Sequence, residues 1–230
     1  MGGAAERLSP VSFTLPPGEP AAGPWVAIPF ADVVGRVVRA VPGRPWVLAV
    51  DGRGAAGKTT LAVRLAAAVP SSAVVSVDDI AWHEPMYEWG SLLREHVLEP
   101  LSRGAAVDYR PTAWEERGRP GRIAVPAGLD VVVIEGTGSS QREHADLIDA
   151  TVWVQSDFAE AERRGIERDV VEGVNGNREE TTAFWHEWMA HELRFFEAQR
   201  PWERAEVFVT GTPPVDVAPD EIAVADPAQR

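Results

Sequence analysis

One short segment constrains the fold more than any other part of this chain. Residues 52–60 read G-R-G-A-A-G-K-T-T and fit the pattern G-x-x-x-x-G-K-[ST]. Glycines in this pattern let backbone N–H groups turn inward around a phosphate, and the helix that follows presents its positive N-terminal end. The pattern therefore predicts a phosphate-binding loop that connects a buried strand to a helix.

Lysine usage points to the same segment. Lys58 is the only lysine among the 22 basic residues, and the other 21 are arginines. Lysine carries a compact, mobile point charge, whereas arginine presents a planar fork. We expect Lys58 to reach the β- and γ-phosphates of a nucleoside triphosphate and the Thr59 hydroxyl to hold Mg²⁺. The expected nucleotide-binding set is Gly52, Gly54, Ala55, Ala56, Gly57, Lys58, Thr59 and Thr60.

The charge balance narrows the kinds of partner. The chain carries 35 acidic and 22 basic residues, which give a formal net charge of −13. Because such a chain repels phosphate backbones and anionic lipids, we expect neither a nucleic-acid nor a membrane partner. The sequence has no cysteine and no apolar run long enough to span a membrane, and its first residues lack the basic and apolar pattern expected of a signal peptide. These features predict a cytoplasmic protein with a small-molecule partner and leave homo-oligomer formation open.

Short apolar runs alternate with longer amphipathic ones through the middle of the chain. Buried strands are predicted at residues 46–50, 73–77, 131–134, 151–154 and 206–209. Helical spacing is found at residues 30–41, 58–69, 91–101, 157–171 and 182–199. A hairpin is expected from residues 107–114 and 122–125. This alternation predicts an α/β fold with a mostly parallel central sheet and helices on both faces.

Proline and glycine mark the ends of this folded region. Residues 1–24 are rich in Pro, Gly, Ala and Glu, and the chain from Pro213 onward repeats that composition. We therefore expect a flexible N-terminal arm at residues 1–24, one domain at residues 25–212 and a C-terminal tail at residues 213–230.

Three acidic residues follow predicted strands. Asp78 and Asp79 end the second strand, and Glu135 ends the strand at residues 131–134. Ligands of an open parallel sheet bind beyond the carboxyl ends of its strands, so these acids converge on the phosphate loop. An acid there can hold Mg²⁺ or accept a proton from a substrate hydroxyl, although an aspartate after a strand is also a common helix cap. We predict Thr59, Asp78 and Glu135 as the metal ligands.

These residues resemble the group of P-loop kinases that contains uridine–cytidine kinase, phosphoribulokinase and bacterial pantothenate kinase. The resemblance is carried by residues 51–60, 76–80, 133–136 and 163–169. It implies a three-layer P-loop fold with Asp78 as the catalytic base. It also implies a helical lid at about residues 157–178, which brings Arg163, Arg164 and Arg168 to the phosphoryl group.

Two positions depart from the pattern of that group. Ile80 stands where the group has an aromatic residue, and Glu160 stands where uridine kinases have an additional arginine. The resemblance therefore extends to the fold and the ATP site and leaves the substrate open.

The acceptor side is less constrained. Residues 87–89 and 107–110 resemble substrate-binding stretches of the group, which makes Glu88, Tyr109 and Arg110 candidates. An aromatic wall can cover a sugar or a planar ring, and His83 can donate a hydrogen bond. The remaining candidates near the acceptor are Asp79, Trp82, Trp89, Trp114, Trp185 and Trp188.

The favoured function is a kinase that uses ATP and Mg²⁺ to phosphorylate a hydroxyl of a small molecule, with nucleosides as the first choice. The alternatives are a kinase for another metabolite or an antibiotic alcohol, a P-loop NTPase switch or motor, and an inactive nucleotide-binding module. The sequence contains neither an N-K-x-D guanine-binding motif nor an L-S-G-G-Q signature. Intact Lys58, Thr59, Asp78 and Glu135 argue against an inactive module.

Overall fold

The computed structural model describes residues 13–226, which form a seven-stranded sheet, a two-stranded sheet and the helices packed on them. The strands are β1 (Val26–Pro29), β2 (Trp46–Gly52), β3 (Ser72–Ser76), β4 (Val107–Tyr109), β5 (Ile123–Val125), β6 (Val131–Glu135), β7 (Ala150–Gln155), β8 (Val207–Thr210) and β9 (Glu221–Ala225). The large sheet has the order β1-β9-β8-β7-β2-β6-β3, and β4 pairs with β5.

Five neighbouring strands of the large sheet, from β8 to β3, run parallel. The remaining two strands are antiparallel additions, since β9 pairs antiparallel with β8 and β1 pairs antiparallel with β9. Parallel neighbours need long crossover connections, and in this chain helices supply them. The predicted mostly parallel α/β sheet is confirmed.

The helices are α1 (Phe30–Val37), α2 (Lys58–Ala68), α3 (Val77–Ala81), α4 (Gly90–Leu93), α5 (Glu99–Ser102), α6 (Thr112–Glu116), α7 (Phe158–Glu172) and α8 (Arg178–Gln199). A π-helical turn at Arg94–Leu98 joins α4 to α5. In residues 13–226, no helix combines the length and the apolar character that a membrane span requires.

Alternation along the strands divides the core between the two faces of the sheet. Leu48 and Val50 of β2 pack with α1 and α2 on one face, whereas Val47 of the same strand points to the other face. That second face is covered by α3, α4, α5 and the β4–β5 hairpin on one side and by Phe196 of α8 on the other. The layers therefore follow from the two-residue period of strands buried on both sides.

Strand β3 begins and ends one residue earlier than the predicted strand at residues 73–77, and this difference matters for the site. Strand β3 ends at Ser76, and α3 begins at Val77 without an intervening loop. Asp78 and Asp79 therefore lie in the first turn of a short helix, where acidic side chains are favoured by the helix dipole.

The predicted C-terminal tail needs correction. Residues 221–225, within the segment expected to be a tail, form strand β9 in the main sheet. Ile222 and Val224 of this strand are buried in the core, and this burial explains why the segment is ordered. Residues 227–230 lie outside the described part of the chain.

The predicted N-terminal arm also differs over the part that the structure describes. Glu19 is only 8% exposed. Its carboxylate accepts hydrogen bonds from the Trp153 indole and the Gln155 amide of β7. Polar partners on the sheet therefore fix this segment, while residues 1–12 lie outside the described residues.

Helices α7 and α8 pack closely through one glycine. A Cβ added at Gly165 of α7 would lie 2.0 Å from the Trp185 ring of α8, which is 5% exposed. The Trp185 indole also donates a hydrogen bond of 2.7 Å to Asp169. The ring is therefore fixed by contacts and a hydrogen bond to α7.

We expect Gly165→Ala to destabilise the protein by about 1–3 kcal/mol, because the added methyl group displaces the Trp185 ring. The matched control is Gly35→Ala, since Gly35 is also helical but has open space where its Cβ would be. Alanine there should be neutral or should stabilise by up to about 1 kcal/mol. Urea unfolding midpoints measure both changes, and equal midpoints for the two variants would contradict the proposed tight packing.

Candidate functional site

The predicted phosphate loop lies where β2 ends and α2 begins. Strand β2 ends at Gly52, α2 begins at Lys58, and Gly57 takes the left-handed conformation with φ +102° as the N-cap residue. No side chain caps this helix, so no side-chain oxygen satisfies its first N–H groups. The helix N-terminus is therefore open to an anion, as the sequence pattern predicts.

Lys58 is buried at the base of the loop. Its Nζ donates hydrogen bonds to the Arg53 carbonyl at 2.7 Å and to the Thr137 hydroxyl at 3.1 Å. Next to it, the Thr59 hydroxyl donates a hydrogen bond of 3.1 Å to Glu135 at the end of β6. A cation and a hydroxyl from α2 thus meet a carboxylate from the end of β6 at one edge of the sheet.

These groups line a cavity of 390 Å³, which we call the loop cavity. Its wall is formed by Ala55, Gly57, Lys58, Thr59, Thr60, Asp78, Glu135, Arg164 and Arg168. The structure thereby brings together the lysine, the three predicted metal ligands and two of the three predicted lid arginines. The cavity combines cations for phosphate oxygens with oxygen ligands for a hard metal ion.

Three members of the predicted nucleotide-binding set have other contacts. The Gly52 N–H donates to Asp51, and the Gly54 N–H donates to Glu192. The Ala56 side chain is buried in the core beneath α2. The glycine-rich sequence pattern spans the whole loop, but only Ala55, Gly57, Lys58, Thr59 and Thr60 of the predicted set line the cavity.

Asp78 and Asp79 point to different places. Asp78 lines the loop cavity, whereas the Asp79 carboxylate accepts a hydrogen bond from Arg119, which lies in the connection between β4 and β5. The Asp79 carbonyl accepts a hydrogen bond of 2.9 Å from the Trp114 indole. Asp79 therefore anchors the hairpin region, and the structure places only Asp78 at the site.

A second cavity, of 620 Å³, adjoins the loop cavity at Asp78. We call it the aromatic cavity, because several aromatic side chains lie in its wall. The residues that line it are Asp78, Ala81, Trp82, His83, Glu84, Met86, Tyr87, Trp89, Thr137, Val174, Asn175, Phe184 and Trp188. Asp78 is thus exposed to both cavities. A carboxylate in this position can contact a molecule bound in either cavity.

Several predicted acceptor residues do not line the aromatic cavity. Glu88 is exposed, and Tyr109 stacks on His96 with ring centroids 4.1 Å apart. Arg110 donates to the Arg119 carbonyl, and Trp114 is buried in the core with Arg119 over its ring. His83, Trp82, Trp89 and Trp188 do line it. The β4–β5 hairpin thus contacts α3 through Asp79, and its predicted residues lie away from the cavity.

The three predicted lid arginines divide between the site and solvent. Arg163 forms ion pairs with Glu160 and Glu167 on the surface of α7, with 55% of its side chain exposed. Arg164 and Arg168, on another face of the helix, line the loop cavity. Two nitrogens of Arg164 are buried without a hydrogen-bond partner among the described residues. Arg163 is therefore not placed at the site, because neighbouring residues of a helix point in different directions.

A buried ion cluster, which the sequence analysis missed, lies beneath the loop. Arg53 is 4% exposed, and its guanidinium pairs with Glu19 at 2.7 Å and with Glu192 of α8 at 3.2 Å. Glu192 also accepts the Gly54 N–H at 2.8 Å, and the Arg53 guanidinium lies 4.9 Å from the Phe196 ring centroid. Burial raises the pKa of Glu192, while Arg53 and the Gly54 N–H oppose that rise. The cluster ties the loop to α8 and to the N-terminal segment.

Trp188 connects the loop with the aromatic cavity. A Cβ added at Gly54 would lie 2.4 Å from the Trp188 ring, so only glycine permits this contact. Trp188 also lines the aromatic cavity. The same indole therefore touches the phosphate loop and the space beside it.

Tyr87 is a further cavity residue that sequence reasoning missed. Its ring stacks on Phe195 of α8 at 4.1 Å, and its buried hydroxyl has no hydrogen-bond partner among the described residues. Burial is the main cause of a raised pKa of the Tyr87 phenol, so the hydroxyl stays protonated near neutral pH. The residue lies beside the predicted Glu88, but no sequence signal distinguished it.

A third cavity, of 290 Å³, continues from the loop along α2, and we call it the tail cavity. It shares Gly57, Thr60 and Arg164 with the loop cavity. Its far wall includes Pro213 and Val217 of the segment predicted as a tail. The predicted domain boundary at residue 212 therefore cuts through this cavity.

Within residues 13–226, no group of three His, Asp or Glu side chains is arranged to hold a metal ion. Thr59 and Glu135 nevertheless offer oxygens at the cavity wall, with Asp78 in the same wall. Mg²⁺ is commonly held by one or two protein oxygens together with substrate phosphates. The residues present fit an ion that is bound with a nucleotide.

Comparison with known proteins places this site in context. No protein-family model matches the chain. A uridine kinase from Halobacterium salinarum is 28% identical over 145 residues, which cover 55% of this chain and 64% of that protein's length. A solved structure from Silicibacter sp. TM1040, provisionally described as a fructose transport system kinase, is 20% identical. It superposes with a TM-score of 0.53 over 74% of this chain and 91% of the other.

The two comparisons answer different questions. The sequence match confirms the predicted resemblance to P-loop kinases of the uridine kinase group. The structural match confirms the three-layer α/β fold and nothing about substrate. The chain therefore has a uridine kinase-like P-loop fold.

We expect Glu192→Ala to destabilise the protein by about 3 kcal/mol, because it removes one carboxylate partner of buried Arg53 and leaves the Gly54 N–H without its acceptor. The matched control is Glu187→Ala, an exposed glutamate on the same helix, which should change stability by less than about 0.5 kcal/mol. Urea unfolding measures both. A Glu192 variant as stable as the control would show that the cluster contributes nothing to holding the loop.

Proposed function

We propose that this protein is an ATP-dependent kinase that transfers the γ-phosphoryl group to a hydroxyl of a small molecule, with a nucleoside as the first candidate. The observation that carries the proposal is the position of Asp78 in the walls of both the loop cavity and the aromatic cavity. A phosphoryl-transfer enzyme needs a donor site and an acceptor site that meet at a proton acceptor. This arrangement meets that requirement.

On the donor side, the open N-terminus of α2 and the Lys58 ammonium would bind the triphosphate. Arg164 and Arg168 would neutralise charge on the transferring group. The tail cavity, which continues from Gly57 and Thr60, has space for the donor base. Thr59 and Glu135, with Asp78, would hold Mg²⁺, which supplies positive charge to the phosphate oxygens when bound.

On the acceptor side, Asp78 would orient the hydroxyl and take its proton as the oxygen attacks the γ-phosphorus. The new bond joins the acceptor oxygen to that phosphorus, and the bond to the departing ADP oxygen breaks. Helix α7 and the turn that follows it would close over the reacting groups as a lid at about residues 157–178 and exclude water.

A switch or motor NTPase is the second candidate, and the aromatic cavity argues against it. Such a protein hydrolyses its nucleotide and needs no acceptor site, whereas this cavity of 620 Å³ opens directly at Asp78. The choice of a nucleoside rests on the similarity to the Halobacterium salinarum uridine kinase. Another metabolite or an antibiotic alcohol would satisfy the same geometry.

Lys58→Ala should reduce phosphoryl transfer at least about a hundredfold, because no other ammonium group can replace its charge at the loop. The assay is a panel of nucleosides, sugars and vitamin alcohols incubated with ATP and Mg²⁺, with the product identified by mass. Lys58→Arg keeps the positive charge but replaces the compact ammonium with a planar guanidinium, so it should recover only part of the activity. Phosphate release that is independent of any acceptor would instead support the NTPase alternative.

Asp78→Asn should lower turnover by about 10²–10⁴-fold while ATP affinity changes little, because the amide cannot accept the acceptor's proton. The matched control is Asp79→Asn, because the Asp79 carboxylate contacts Arg119 and lines neither cavity. That variant should keep most of the turnover. Full activity of the Asp78 variant would remove this residue as the base.

A further inference from the structure

We infer that the aromatic cavity selects acceptors by charge: it takes uncharged or amine-bearing alcohols and rejects anionic ones, with Glu84 as the residue that sets this preference. The inference rests on the proposed kinase function, because it concerns the acceptor of that same site. It narrows the acceptor classes considerably, since sugar phosphates and hydroxy acids would be excluded.

The formal charges in the wall of the aromatic cavity are all negative. Asp78 and Glu84 line the cavity, and among the described residues no arginine or lysine does. Neither carboxylate forms an ion pair with another described residue. Asp78 also lines the loop cavity with Lys58, Arg164 and Arg168, whereas Glu84 lines only the aromatic cavity of the two. His83 and Tyr87 are the other ionisable groups in the wall. The Lys58 ammonium lies behind Thr137, to which it donates a hydrogen bond of 3.1 Å, and it is not part of the wall. An acceptor therefore meets only negative formal charges in the wall itself.

The arginine next to this wall does not change the balance. The Arg119 guanidinium lies 5.1 Å from the Trp82 ring centroid, on the hairpin side of that ring. It also contacts the Trp114 ring and forms an ion pair with Asp79. Its charge is matched by a neighbouring carboxylate, and the residue is not part of the cavity wall.

The remaining wall suits a ring with neutral polar groups. Trp82, Trp188 and Phe184 offer aromatic faces on which a planar ring can stack. The Tyr87 ring lines the same wall, while its hydroxyl is buried behind that wall. The Asn175 amide adds a donor and acceptor pair.

Electrostatics then separates acceptors by charge. A carboxylate or phosphate that entered this cavity would lose hydration, find no cation in the wall and lie close to two carboxylates. A protonated amine would gain an ionic partner and aromatic faces that attract cations. An uncharged alcohol neither loses the hydration of an ion nor is repelled by the carboxylates. Asp78 is required by the proposed reaction, so Glu84 is the carboxylate whose main effect would be the selection of acceptors by charge.

The test uses pairs of alcohols that differ in one charge. The pairs are glycerol and D-glycerate, pantothenol and pantothenate, and uridine and orotidine. Each compound is assayed for acceptor-dependent ADP formation and for quenching of tryptophan fluorescence, because Trp82, Trp89 and Trp188 line the cavity. In each pair, we expect the uncharged member to bind and react better by at least about tenfold.

Glu84→Gln should reduce this preference about threefold or more in both measurements, because it removes one of the two negative charges. Glu116→Gln is the matched control, since Glu116 is exposed on α6 and does not line the cavity. That variant should keep the wild-type preference. Equal preferences in the two variants would overturn the role of Glu84.

The two measurements separate failure of this inference from failure of the proposed function. Anionic members that bind more tightly than their uncharged partners would overturn the charge selectivity, whatever the turnover. Uncharged members that bind more tightly but give no ADP with ATP would sustain the selectivity and count against kinase activity.

Discussion

The site depends on one buried guanidinium. Arg53 lies within the phosphate loop, pairs with Glu19 and Glu192, and faces the Phe196 ring. Its backbone carbonyl accepts a hydrogen bond from the Lys58 ammonium. Arg53 therefore contacts both the buried carboxylates beneath the loop and the lysine that faces the loop cavity. In a low-dielectric interior, such a cluster persists only when every charge has a partner. The N-terminal segment and α8 supply those partners and thereby fix the loop on the sheet.

Local features of the site could be predicted from the sequence, because each depends on residues close together in the chain. The glycine spacing around Lys58 and the apolar runs of the strands belong to this class. The buried ion cluster beneath the loop could not be predicted in this way, because Glu19 and Glu192 are 34 and 139 residues from Arg53 in the sequence. Strand β9 was missed because the proline-rich stretch before it indicated a tail, while its burial comes from the neighbouring strand.

Neighbouring residues with the same chemistry show a second limit of sequence reasoning. Asp78 and Asp79 are adjacent acids in the first turn of α3, yet one faces the cavities and the other holds Arg119. Successive side chains of a helix point about 100° apart, so identity alone cannot assign their directions. Arg163 and Arg164 on α7 repeat the pattern, with the first directed to solvent and the second to the loop cavity.

The Trp188 indole contacts Gly54 of the phosphate loop and also lines the aromatic cavity, which shares Asp78 with the loop cavity. A molecule that shifts this indole alters the surface against which the loop backbone rests. Affinities at the two sites are then thermodynamically coupled, and reciprocity requires each ligand to change the other's dissociation constant by the same factor. Under the proposed function, this one tryptophan would make the association of the phosphoryl donor and that of the acceptor depend on each other.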